Sequence, residues 1–152
     1  MTGKECPLCT LNMRCVTTTI TSVTPGTAMV LVVDTTKSAG TTVALPLRGA
    51  VDVSIDWGGA GTGCGTVAVQ SANRLNDVSC TYTTAGTYTV RVSGTFARFG
   101  SGSPYAGSDK ITAVTSFGAV SGVTGLSGAF YGASNLVAVP ASARWCCPAA
   151  TG

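Results

Sequence analysis

In "AVDVSIDWGG", Val51, Val53, Ile55 and Trp57 alternate with Asp52, Ser54 and Asp56, and the alternation then breaks into glycines. A period of two puts the apolar set on one face of an extended strand and the polar set on the other. Further along, "GTYTVRVSG" repeats the pattern, with Tyr88, Val90 and Val92 set against Thr87, Thr89 and Arg91. Strands that are apolar on one face need a second layer to cover it. Other short β-prone stretches lie between turn signals. "AMVLVVDTT" is almost continuously apolar, so both of its faces are expected to be covered. In "TTVALPL", Val43, Leu45 and Leu47 share a face, while Pro46 confines the strand to an edge or an irregularity. "GTVAV" reads as a short strand and "TFARF" offers Phe96 and Phe99. Short alternating strands at this spacing predict an all-β sandwich. Glycines interrupt "SGVTGLSGAFYGASNL", which leaves room for one helical turn near 126–130.

The 152 residues fit one domain, or one domain with arms. Charged residues are 10% of the chain, against roughly 25% in an average protein, and Thr, Ser and Gly fill the gap. Such a hydroxyl-rich surface suits an extracellular or virion protein packed against neighbours. The net charge of +3 is scattered singly and no aromatic platform accompanies it, so no nucleic-acid partner is expected. No apolar run approaches the ~20 residues that cross a bilayer, so no membrane partner is expected either. The first residues, "MTGKECPLCTLNMRC", carry Lys4, Glu5 and three cysteines where a secretory signal has its apolar core. The expected route outward is release by lysis, as for a bacteriophage structural protein, or a signal already removed.

Catalytic chemistry finds little to work with. The chain has no His, the commonest general base. Asp52 and Asp56 are four residues apart on one strand, about 13 Å, whereas a retaining glycosidase pair sits at about 5 Å. Asp34 with Thr35 and Thr36 makes a poor calcium set. "GGAGTGCG" lacks the Lys-Ser/Thr of a phosphate loop and reads as a flexible hairpin connection. No enzyme activity and no cofactor are expected. The exposed-looking loop "FGSGSPYAGS", with Arg98 and Tyr105 beside its glycines, is a candidate recognition loop against the plainer reading of ordinary loop dressing.

"IDWGGAG" followed by "CTYTTAGTYTVRVSG" resembles the polycystic-kidney-disease (PKD) type of immunoglobulin-like β-sandwich. That family places W-G-D-G at a strand end, then H-x-Y, a short turn and G-x-Y-x-V-x-V. Trp57 and Gly58 match the first motif; Tyr82, Gly86, Tyr88, Val90 and Val92 match the second. Gly59 stands where the family has Asp, and Thr81 leads into Tyr82 with no His before it. The missing Asp implies a turn without its side-chain cap. The likeness extends over residues 29–140. There the chain is similar to the front part of BspA-like leucine-rich-repeat surface proteins of bacteria and phages, with "ITAVTSFG" and "FYGASNLVAVP" supplying about one repeat. A lone repeat is unstable by itself, so it is expected to pack on the sandwich or on another chain.

The expected organisation is therefore an extended arm over 1–27, a PKD-like sandwich over 28–99, a repeat-like extension over 100–140 and a tail over 141–152. Of the seven cysteines, Cys64 and Cys80 are the two within the sandwich. A bond between them closes a loop of about fifteen residues, a constraint of about 3 kcal/mol; the alternative is two buried free thiols. Cys6, Cys9, Cys15, Cys146 and Cys147 lie in the arms. "CPLC" with Cys15 and "WCCP" offers a zinc site as an alternative, but thiolate zinc sites usually show two C-x-x-C pairs or an added His, so cross-linking within or between chains is the expectation. The function expected is a structural, non-enzymatic subunit of a phage virion, a capsid decoration or tail-associated protein. It would bind other virion subunits or itself. The alternative is an extracellular adhesion or carbohydrate-binding module with a host surface glycan as partner.

Overall fold

In the computed structural model, residues 28–59, 62–118 and 123–140 are described. Seven strands form two antiparallel sheets. They are β1 (Met29–Asp34), β2 (Thr42–Leu45), β3 (Leu47–Asp56), β4 (Thr66–Arg74), β5 (Val78–Thr81), β6 (Thr87–Phe99) and β7 (Ile111–Ser116). The larger sheet has the order β4-β3-β6-β1-β7, and β2 pairs with β5 in the smaller one. The inner faces of the two sheets share one hydrophobic core, so the fold is all-β and sandwich-like.

The alternation read from the sequence decides which residues fill that core. Val51, Val53, Ile55 and Trp57 are all buried, as are Val90 and Val92, while Tyr88 is half-buried. Met29, Leu31 and Val33 of β1 are buried; Val30 and Val32 on its other face are half-covered. Val43, Leu45 and Leu47 are fully buried, and Pro46 marks where the chain leaves the small sheet for the large one. With no N–H to continue a ladder, Pro46 contributes its carbonyl, which accepts from the Gly100 N–H at 2.9 Å.

Two expectations about strand length change. "GTVAV" opens a nine-residue strand rather than a short one. The outer half of β4 is polar on both faces, so periodicity gave no sign that it continues. "GTYTVRVSG" and "TFARF" join into one thirteen-residue strand that runs through Gly94. Along it, Val51 faces Phe96 and Leu47 faces Phe99, with a register shift between Arg48 and Val51. Gly49 sits at that shift with φ 75°, as a bulge requires.

The expected boundary after Phe99 does not divide the core. "ITAVTS" is β7, hydrogen-bonded along β1 in the large sheet. Residues 137 and 138 then lie alongside β7: the Val137 N–H donates to Thr112 O at 3.0 Å and the Val114 N–H to Ala138 O at 2.8 Å. Phe130 stacks obliquely on Phe99 with centroids 6.0 Å apart. The helical turn expected at 126–130 is instead a non-helical turn, with Gly128 at φ 69° and the Ala129 N–H on Leu126 O at 3.0 Å. The arms over 1–27 and 141–152, with Cys6, Cys9, Cys15, Cys146 and Cys147, lie outside the described residues.

Gly94 is where the large sheet tolerates no side chain. It has φ 117°, and a Cβ there would overlap the Asp52 carbonyl oxygen of β3. Gly40 has φ 75° but open space around it. Gly94→Ala should therefore lower unfolding free energy by about 3 kcal/mol or more, and Gly40→Ala by about 1–2 kcal/mol. Urea denaturation of both variants checks the contrast.

Candidate functional site

The residues singled out in the sequence fall into three places. The first is the end of β3. Tyr82, just past β5, is buried and donates its hydroxyl to the Trp57 carbonyl at 2.9 Å. Its ring meets Trp57 edge-on at 6.5 Å and stacks on Tyr88 at 4.0 Å. Tyr88 in turn donates to Thr84 O at 2.6 Å. Gly86 is held from the other side: its N–H donates to Thr35 Oγ1 at 2.8 Å, and its carbonyl accepts from the Thr35 N–H at 2.9 Å. Gly58 lies against Tyr88, where a Cβ would be 3.4 Å from the Tyr88 Cβ. These five motif residues form one fastening between the sheets.

The turn after Trp57 keeps a side-chain cap, contrary to expectation. Asp56 Oδ1 accepts from the Gly58 N–H at 2.9 Å and the Gly59 N–H at 3.1 Å. Asp56, two residues ahead of Gly58, supplies that cap from the strand end. Thr62 ties the described part of the glycine loop, accepting from the Cys64 and Gly65 N–H groups at 3.3 Å each and donating to Gly59 O at 3.0 Å. Residues 62–65 of that loop are thus hydrogen-bonded, while 60 and 61 lie outside the described residues. Cys64 and Cys80 form a disulfide with Cα atoms 5.8 Å apart, joining the loop to β5.

The second place is the loop of Arg98 and Tyr105, and here the expectation fails for Tyr105. Tyr105 is buried, and its hydroxyl donates to Ala129 O at 2.6 Å. Burial raises its pKa, with the negative charge of Asp77 adding to the effect. The ring anchors the 126–133 turn to the core and has no free face for a partner. Arg98 alone is exposed. It lies opposite Arg48 on β3, beside a groove of about 440 Å³ whose lining includes Leu75, Ser101 and Ser127.

The third place is the acids. Asp34 Oδ1 accepts from the Thr36 N–H at 3.0 Å and from Thr36 Oγ1 at 2.6 Å, bonds that lower its pKa. Its carboxylate serves a turn. Asp52 is exposed on the face away from the core. Among the described residues no three acidic or cysteine side chains gather as metal ligands do. Sequence reasoning passed over Lys110, which is buried and donates to Ser38 Oγ and, at 3.1 Å, to Ala39 O. It also passed over the outer edge of β4, since strand order is invisible in a linear pattern.

No family model, curated protein or solved structure matches this chain.

The Tyr82 hydroxyl sets an alkaline limit on the fold. Burial raises its pKa above the ordinary 10.0, with the charges of Tyr88 and Asp56 adding to the rise. A group whose folded pKa is raised contributes stability that is complete below its unfolded pKa and is lost as pH climbs above it. Unfolding free energy should therefore hold to about pH 10 and then fall. Tyr82→Phe should cost about 1–3 kcal/mol at neutral pH by orphaning the Trp57 carbonyl. It should also flatten the alkaline decline, which urea melts across pH 8–12 can check.

Proposed function

We propose that this chain is a non-enzymatic structural subunit of a phage virion, a capsid decoration or tail-associated protein, that assembles by strand pairing between copies. The observation that carries this reading is the outer edge of β4. That strand has one neighbour, β3, and no described residue pairs with its other side. From Thr66 to Asn73 it holds neither a charge nor a proline. Long edges in soluble proteins are usually blunted by Lys, Pro or a covering loop, because their bare N–H and C=O groups recruit other strands. The opposite edge, β7, is covered here by residues 137 and 138. Val67 on β4 is also 36% exposed. A second copy presenting its own β4 antiparallel, about a two-fold axis, continues the sheet with identical partners. The hydroxyl-rich surface of low charge supports a particle setting, and the PKD-like motif supports a surface protein.

A second reading, a surface adhesion or carbohydrate-binding module, is favoured by one feature: the groove beside Arg98.

Light scattering with and without reductant tests the assembly. The full chain should run as a defined oligomer, and Val67→Lys, which sets a charge on the β4 edge of both partners, should run as a monomer of unchanged thermal midpoint. A wild-type monomer in both conditions removes the strand-pairing reading.

A further inference from the structure

Arg48 and Arg98 are register partners on adjacent strands. Like charges placed directly opposite destabilise a sheet, so each needs an acceptor. Arg48 has one: its guanidinium pairs with Asp77 Oδ1 and also donates to Leu47 O at 3.0 Å. Arg74 draws on the same residue, donating to Asp77 O at 3.0 Å, and its Nε is buried with no partner among the described residues. Asp77 is thus shared between two arginines. Arg98 is exposed and has no hydrogen bond or ion pair among the described residues, so its positive charge is uncompensated by them.

The surroundings of that charge are built. Gly125 lies beside Arg98 in a parallel bridge, and a Cβ added there would sit 3.7 Å from the Arg98 Cγ and Cδ. That is ordinary van der Waals distance, so the aliphatic stem of Arg98 lies along the 125 backbone. Facing walls are formed by 100–102 and 125–128, joined by the Ser101 N–H on Gly128 O at 3.3 Å. A Cβ on Gly100 would overlap Ser127 O, and one on Gly128 would overlap Ser101 O. Only glycine permits this approach, so the groove is shaped before any ligand arrives. Leu75, 69% exposed, supplies an apolar patch, and Ser101 and Ser127 supply hydroxyls.

We propose that this groove binds a carboxylate-bearing saccharide, a uronic-acid oligomer, with Arg98 gripping the carboxylate. The planar guanidinium matches a carboxylate with two parallel hydrogen bonds. Leu75 receives the C–H face of a sugar ring, and the serines meet ring hydroxyls. The volume of about 440 Å³ lies in the range of small-molecule sites, roughly 300–1,000 Å³. One free arginine suits one acid group at a time. A nucleic-acid backbone asks for a row of them.

This inference deepens the surface-module reading and is independent of strand pairing. Isothermal titration of the full chain against tri-galacturonate, neutral maltotriose and inorganic sulfate tests it. Tri-galacturonate should bind, and both controls should be silent. Arg98→Gln, an exposed change, should weaken binding roughly tenfold or more. Leu75→Ser should weaken it too, with thermal midpoints no lower in either variant. Tri-galacturonate binding that survives Arg98→Gln overturns the groove but keeps a saccharide-binding role. Sulfate binding as tightly as the saccharide reduces the site to a simple anion patch and overturns the proposal. Silence toward tri-galacturonate overturns it outright, and silence toward maltotriose as well removes the second reading with it.

Discussion

The hydroxyl of Tyr82 on the carbonyl of Trp57 is the contact on which the sandwich turns. It joins the last residue of the β3 pattern to the segment leaving the small sheet, inside a site from which water is excluded. A buried hydrogen bond of this kind contributes about 1 kcal/mol when made and costs more when one partner is left alone. The aromatic contacts with Trp57 and Tyr88 add roughly 0.5–1.5 kcal/mol each. The disulfide between Cys64 and Cys80 fastens the same corner from the glycine loop. Together they fix where β3 ends. The hairpin then returns as β4, whose seven paired positions run from Gly49↔Arg74 to Asp56↔Thr66.

What could be read from the chain depended on whether a residue's neighbours in sequence are also its neighbours in space. The faces of β3 and β6 were legible because a strand buried on one side writes that side into every second residue. β5 was not, because four residues with only Val78 and Cys80 buried do not establish a period. The Asp56 cap was legible in principle, since an Asp two residues before a glycine is a local signal. Tyr105 misled because glycine, serine and proline around it describe the backbone's path and not the fate of the ring. A single tyrosine in such a loop is more often its anchor to the core. The pairing of Arg48 with Arg98 depends on the register between β3 and β6, and the crowding of Lys110 against Ser38 on how a loop folds over β1. Neither leaves a mark in a linear pattern.

The two surface features follow from the same sheet. Its β7 edge is covered by residues 137 and 138, and among the described residues the outer side of β4 has no strand beside it. The β3–β6 register places two arginines side by side at one end of the sheet, and a single aspartate cannot neutralise them. One feature suits a neighbour of the same kind and the other an acidic ligand.

Residue-resolved hydrogen exchange at two protein concentrations addresses both the anchorage and the edge. The amides of 55–57, 82 and 86–88 should exchange only through global unfolding at either concentration. Alternate amides along Thr66–Arg74, those turned away from β3, should exchange quickly in dilute protein and become protected as concentration rises. β4 amides whose exchange is indifferent to concentration would contradict assembly through that strand.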